Sequence, residues 1–160
     1  MADIIDEFLD RIETNDRTYY KEIAEKAIEL GYKPKRDKVK HLGISFRSSK
    51  HNVTILRYIY DKRPEYRLKF FAAKVYSKIF DESIKWIIEK FNYRYVGCYG
   101  CGKCIKELEG YTVEYEDGRK YFRCGSELIE IKDMNERIKD EVIELMERQA
   151  LYYERKEEVS

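Results

Sequence analysis

With 160 residues, 43% of them hydrophobic, the chain is long enough to bury a core without covalent or metal staples, while its 39% charged residues exceed the usual share of about a quarter. The 32 bases and 31 acids nearly cancel, which argues against disorder driven by self-repulsion. No apolar run approaches the roughly 20 residues needed to span a membrane, and the acidic start Met1–Asp10 is unlike a signal peptide. A cytoplasmic protein with no membrane partner is therefore expected, and in that compartment clustered cysteines serve metal or redox chemistry rather than structural disulfides.

The stripe Ile4, Ile5, Phe8, Leu9, Ile12 predicts a short helix over Asp3–Glu13. A second helix is predicted over Thr18–Leu30, with Tyr20, Ile23, Ala24, Ala27 and Ile28 facing inward, Asn15 or Asp16 as its cap, and Gly31 at its C-terminal left-handed position. Pro34 then prevents easy continuation. The period changes to two at Leu42, Ile44 and Phe46, which predicts a strand. Val53–Tyr60 gives a second, after a turn over Ser48–Asn52, and Tyr66, Leu68, Phe70 and Ala72 give a third. Strands joined by short loops make an antiparallel meander.

A helix over Glu82–Phe91, capped by Asp81, follows from Ile84, Ile87, Ile88 and Phe91. Beyond the cysteine segment, Tyr111–Glu116 and Arg119–Cys124 flank Asp117-Gly118, a two-residue type I′ hairpin signal that pairs Tyr111 with Cys124. Leu128–Ile131 adds a short strand. Asp133 with Glu136 resembles a capping box opening a long terminal helix, whose inner side carries Ile138, Val142, Leu145, Met146, Gln149 and Tyr152. Consecutive strands rather than alternating βαβ units place the chain in the α+β class. It is read as one domain spanning residues 1–160. Within it, an N-terminal helical segment covers residues 1–32, a basic meander plus helix 33–94, a cysteine loop and hairpin 95–132, and a terminal helix 133–160.

The chemistry concentrates in four cysteines. Cys98, Cys101 and Cys104 form the run C-Y-G-C-G-K-C, and Cys124 ends the hairpin. The first reading is a structural zinc site made by all four. The spacing C-x₂-C turns two thiolates onto one ion, Gly100 and Gly102 permit the turn, and Lys103, Lys106 and Arg123 would offset the net −2 charge of a Zn(Cys)₄ centre. Four thiolates leave no open position, so a binding role is expected rather than catalysis. The run C-x₂-C-x₂-C is also the spacing that ferredoxins use for three ligands of a [4Fe–4S] cluster. That resemblance covers seven residues, and the expected fourth Cys-Pro is missing, since Cys124 precedes Gly125. The remaining readings are exchanging thiols or no metal at all.

Charge is segregated along the chain. Residues 33–69 hold twelve bases against three acids, whereas 1–32 and 125–160 each carry a net −5. Arg47, Arg67 and Lys69 fall opposite the apolar alternation, joined by Arg57 if Leu56, Tyr58 and Tyr60 point inward. Basic strands interleaved with aromatics can hold single-stranded nucleic acid. The competing reading is a solvated face, or one covered by the acidic helices. A protein partner is the other binding expectation, and the oligomeric state stays open. His41 and His51 lie near opposite ends of the first strand pair, too far apart for a shared metal. A small-ligand pocket lined by Tyr58, Tyr60, Tyr66, Tyr95 and Trp86 is a third, weaker reading.

Overall fold

The chain folds as an α+β protein, and its computed structural model describes residues 2–13, 15–101, 104 and 108–159. Helix α1 (Ala2–Leu9) lays Ile5, Phe8 and Leu9 on the core, and α2 (Asp16–Glu29) adds Tyr20, Ile23, Ala24 and Ala27. Asn15 stands at the N-cap of α2 but makes no capping bond with its side chain. The other end closes in a Schellman arrangement: the Tyr32 and Gly31 N–H groups donate to Ala27 and Ile28 carbonyls, with Gly31 at φ +96°.

Five strands form one antiparallel sheet in the order β1 (Lys33–Arg36), β2 (Leu42–Ser48), β3 (Val53–Tyr60), β4 (Pro64–Leu68) and β7 (Ile129–Glu130). Strand β1 is not signalled by periodicity, because the three basic residues around Pro34 carry no apolar alternation. Its edge position tolerates the proline's missing donor. The inward face presents Leu42, Ile44, Phe46, Leu56, Tyr58, Tyr66 and Leu68, all buried. Phe8 stacks on Tyr58 with ring centroids 4.9 Å apart, and Tyr20 meets Tyr58 and Tyr66 edge-on. The phenols keep partners: Tyr58 Oη donates to the Tyr20 carbonyl and Tyr66 Oη to the Asp133 carbonyl, both at 2.6 Å.

The third predicted strand ends early, at Leu68 rather than Ala72. Its exit is set by a β-bulge: Phe46 pairs with Leu56 but Arg47 with Thr54, leaving Ile55 as the extra residue of β3. The Lys69 N–H donates to the Ile55 carbonyl at 2.9 Å, and the next amide, of Phe70, turns away to the Tyr111 hydroxyl at 3.3 Å. Helix α3 (Lys78–Lys90) starts a turn before its predicted cap. Asp81 lies inside its first turn, paired with Lys85 at 2.9 Å, while the N-cap position is Ser77, whose N–H donates to Glu141 at 2.7 Å.

The second sheet is the hairpin β5 (Gly110–Glu114) and β6 (Lys120–Cys124). Its turn departs from the two-residue type I′ expectation. The Gly118 N–H donates to the Tyr115 carbonyl and the Tyr115 N–H to the Arg119 carbonyl, so three residues, Glu116 to Gly118, make the loop. Only Gly118 takes positive φ (+91°), because the Asp117 carboxylate accepts the Arg119 N–H at 3.1 Å and holds Asp117 in a right-handed turn. The register shifts accordingly by one: Tyr111 faces Arg123, and Cys124 faces Gly110. Helix α4 (Glu136–Val159) is capped by Asn135, whose side chain accepts the Ile138 N–H at 2.8 Å, rather than by an Asp133–Glu136 box; the Asp133 side chain instead accepts the neighbouring Met134 N–H. Ile138, Val142, Leu145, Met146 and Gln149 are buried as their spacing predicts. No helix among the described residues is long and apolar enough to cross a membrane.

Candidate functional site

The bulge, the hairpin and the end of α4 together enclose a cleft of about 550 Å³. Its lining carries Arg47, Lys50, His51 and Arg57 from the basic meander, Lys69 and Phe71 from the chain leaving β4, Cys101, Cys104 and Cys124 from the cysteine segment and hairpin, and Glu109, Tyr153 and Lys156. Sequence reasoning treats the thiols and the basic sheet as two separate features. The fold brings residues of both into the lining of one cavity, beside the bulge in β3 and the end of the hairpin.

Of the four cations predicted to share a sheet face, Arg47, Arg57 and Lys69 line this cleft, and Arg67 does not. Arg67 lies directly across β3 and β4 from Arg57 and is paired in register with Glu130 on its other side. Lys69 is not outward: it lies one residue past the strand and is 6% exposed. Arg57 is braced. Its Nε donates to Ser45 Oγ at 3.2 Å and lies 3.5 Å from an Asp37 carboxylate oxygen, while Ser45 Oγ–H donates to the other Asp37 oxygen at 2.6 Å. Arg47 is held by the side-chain oxygen of Asn52. Two carboxylates, one on the terminal helix and one just before the hairpin, pair with basic residues of the lining. Glu154 takes Lys50 at 2.7 Å and His51 Nε2 at 2.9 Å, and Glu109 takes Lys156 at 2.8 Å and the Tyr152 hydroxyl. The Lys50 and His51 bonds hold the Glu154 carboxyl below its usual range.

The cysteines are free thiols, with Cys98 and Cys101 exposed, Cys104 half-buried and Cys124 buried. Three already accept hydrogen bonds at sulfur: the Gly100 N–H reaches Cys98 at 3.3 Å, the Glu109 N–H reaches Cys104 at 3.3 Å, and Ser126 Oγ–H reaches Cys124 at 3.2 Å. The first is a tight knuckle, which Gly100 permits at φ +69°. Gly97 joins this knuckle to β6 by donating to the Phe122 carbonyl at 2.6 Å. Beneath it lies Arg123, 4% exposed. Its terminal nitrogens reach the Tyr95 carbonyl at 3.3 Å and Glu127 at 3.6 Å, and its Nε is buried without a partner among the described residues. As the residues stand, no group of three Cys, His, Asp or Glu among those described is gathered tightly enough to hold a metal ion, and Cys98 is outside the cleft lining. Gly102, Lys103 and Lys106, expected to shape and neutralise the site, lie outside the described residues.

No family model fits the chain, and neither curated proteins nor solved structures give a significant match to it.

Burial removes some of the other candidate residues. The sheet's aromatic residues Phe46, Tyr58 and Tyr66 point into the core at 0–1% exposure, so the basic face carries no stacking platform from them. For the same reason Tyr58 and Tyr66 line no ligand pocket. Trp86 is half-buried, with the Lys132 ammonium 3.5 Å from its ring centroid. His41 pairs with Asp61 at 3.2 Å, at the end of the meander away from His51.

Proposed function

We propose that this protein is a non-catalytic binding module in which Cys98, Cys101, Cys104 and Cys124 hold one structural zinc ion and the adjoining basic cleft receives an anionic partner, a single-stranded nucleic acid. The observation that carries this reading is the meeting of the two sequence features in one place: Cys101, Cys104 and Cys124 line the same cleft as Arg47, Arg57 and Lys69.

Two details favour a thiolate centre. Hydrogen-bond donors already point at three of the four sulfurs, the kind of outer contact that orients metal ligands. The buried Arg123 Nε has no partner among the described residues, a costly state for a guanidinium that a nearby anionic centre would offset. The ion would draw the thiols of Cys98, Cys101 and Cys104 onto Cys124. With four sulfur ligands the ion keeps no open position for substrate, which favours binding over catalysis.

Purification without oxygen, followed by metal analysis and a visible spectrum, tests the centre. One zinc per chain and no colour supports it. Iron with a brown colour transfers the same cysteines to an iron–sulfur role, and metal-free protein with four freely titrating thiols ends both metal readings. For the cleft, salt-sensitive binding of single-stranded oligonucleotides that weakens in Arg47→Ala and Lys69→Ala is expected, and no binding at low salt refutes it.

A further inference from the structure

We infer that the cleft is a site for the phosphate group of a nucleotide-sized anion, with the braced Arg57 guanidinium as its central donor. The inference carries the binding role proposed above to a particular ligand group, and it does not depend on the metal.

A volume of about 550 Å³ falls in the range of small-ligand pockets, which runs from roughly 300 to 1,000 Å³. Among the described residues, Arg47, Lys50, Arg57, Lys69 and Lys156 line it with one carboxylate, Glu109, which is paired with Lys156. Asp37 and Glu154, which are not part of the lining, neutralise some of that charge through Arg57 and through Lys50 and His51. Arg57 is the residue whose geometry fits a phosphate. Both of its contacts, to Ser45 and Asp37, use Nε, and among the described residues its two terminal nitrogens make no hydrogen bond or ion pair. A guanidinium pinned at Nε presents those donors in a fixed orientation, the form in which arginine binds phosphate oxygens bidentately. Ser45 and Asp37 are therefore positioning residues. Arg47, also pinned through one nitrogen, lines the same cleft.

The cleft's aromatic lining decides which portion of a ligand is recognised. Phe71 and Tyr153 are 4% and 7% exposed, and the His51 ring stacks against Tyr153 at a centroid distance of 6.0 Å. Neither ring is open to a base. Charge is read here and base identity is not. The phosphate can belong to a free nucleotide or to the 5′ end of an oligonucleotide.

Isothermal titration calorimetry at low salt separates these cases, using ADP, inorganic pyrophosphate, and one short oligonucleotide with and without a 5′-phosphate. Saturable one-to-one binding is expected for ADP and pyrophosphate, and if the source is an oligonucleotide end the phosphorylated strand binds at least about tenfold tighter than its unphosphorylated twin. Arg57→Ala and Arg57→Lys should each weaken ADP binding by about tenfold or more, the lysine failing because it lacks the fork. Ser45→Ala should weaken it less, and Arg67→Ala, outside the cleft, not at all. Circular dichroism confirms that each variant is folded. Absence of binding by ADP, pyrophosphate and both oligonucleotides overturns the inference, as does an Arg67→Ala loss equal to that of Arg57→Ala. Zinc content and ADP binding measured together on Cys98→Ser keep the two readings apart: zinc lost with ADP binding retained leaves this site standing, and folded, zinc-loaded protein that ignores ADP removes this site while the metal centre stands.

Discussion

Replacing Tyr111 with Phe tests how the sheet is fastened to the cysteine hairpin. Tyr111 is 2% exposed, and its hydroxyl does two things: it donates to the Glu127 carbonyl at 3.0 Å and accepts the Phe70 N–H at 3.3 Å. Phenylalanine keeps the ring contacts with Phe70 and Phe71, at 5.1 and 6.2 Å, so packing is conserved. What is lost is polar satisfaction. The Phe70 amide belongs to a residue of 0% exposure, and leaving a buried donor unpaired costs about 1–3 kcal/mol, with a smaller loss at the Glu127 carbonyl. The expected destabilisation is about 2–3 kcal/mol, read as a lower urea midpoint at unchanged m-value and a melting temperature roughly 5–10 °C lower. A loss below about 0.5 kcal/mol would refute the reasoning, since it would mean that the two bonds do not secure the point where the chain leaves β4 for the cleft.

Gly118→Ala should destabilise by about 1 kcal/mol, because φ +91° strains any residue with a Cβ; urea denaturation measures it. Asn135→Ala removes the cap that receives the Ile138 N–H and should cost about 1 kcal/mol by the same measurement, whereas Asp133→Ala, lying outside that cap, should cost less. Alkaline pH should unfold the protein. Burial raises the phenols of Tyr58, Tyr66 and Tyr111 above their ordinary value of 10.0. The unfolded chain therefore ionises first, and stability is full below about pH 10 and falls as pH rises beyond it. Tyrosinate absorbance should appear together with loss of secondary structure, and ionisation of these phenols in folded protein would contradict this.

Periodicity alone exposes the elements that bury a clear apolar stripe. Leu42, Ile44 and Phe46 announce β2, Val53–Tyr60 is β3 to the residue, and Ile138, Val142 and Leu145 mark the inner side of α4. Strand β1 is illegible because Lys33–Arg36 is paired through its backbone at a sheet edge and buries little. The caps at Ser77 and Asn135 escape for a different reason: several polar residues stand within a turn of each helix start, and tertiary partners such as Glu141 help choose among them. The cleft itself cannot be read from the sequence. It depends on a bulge at Ile55 and a one-residue register in the hairpin, and each is set by a hydrogen bond that composition does not encode. Asp37 and Ser45, which brace Arg57, look like a loop acid and a strand serine; their only sequence signal is Ser45's place beside Arg57 across an antiparallel pair.

X-ray absorption at the metal edge of protein purified without oxygen tests the central claim most directly. The proposed centre predicts zinc with four sulfur neighbours at about 2.3 Å, falling to three in Cys124→Ser. Zinc bound by nitrogen or oxygen in place of any of the four thiolates, or an edge unchanged by Cys124→Ser, would contradict it.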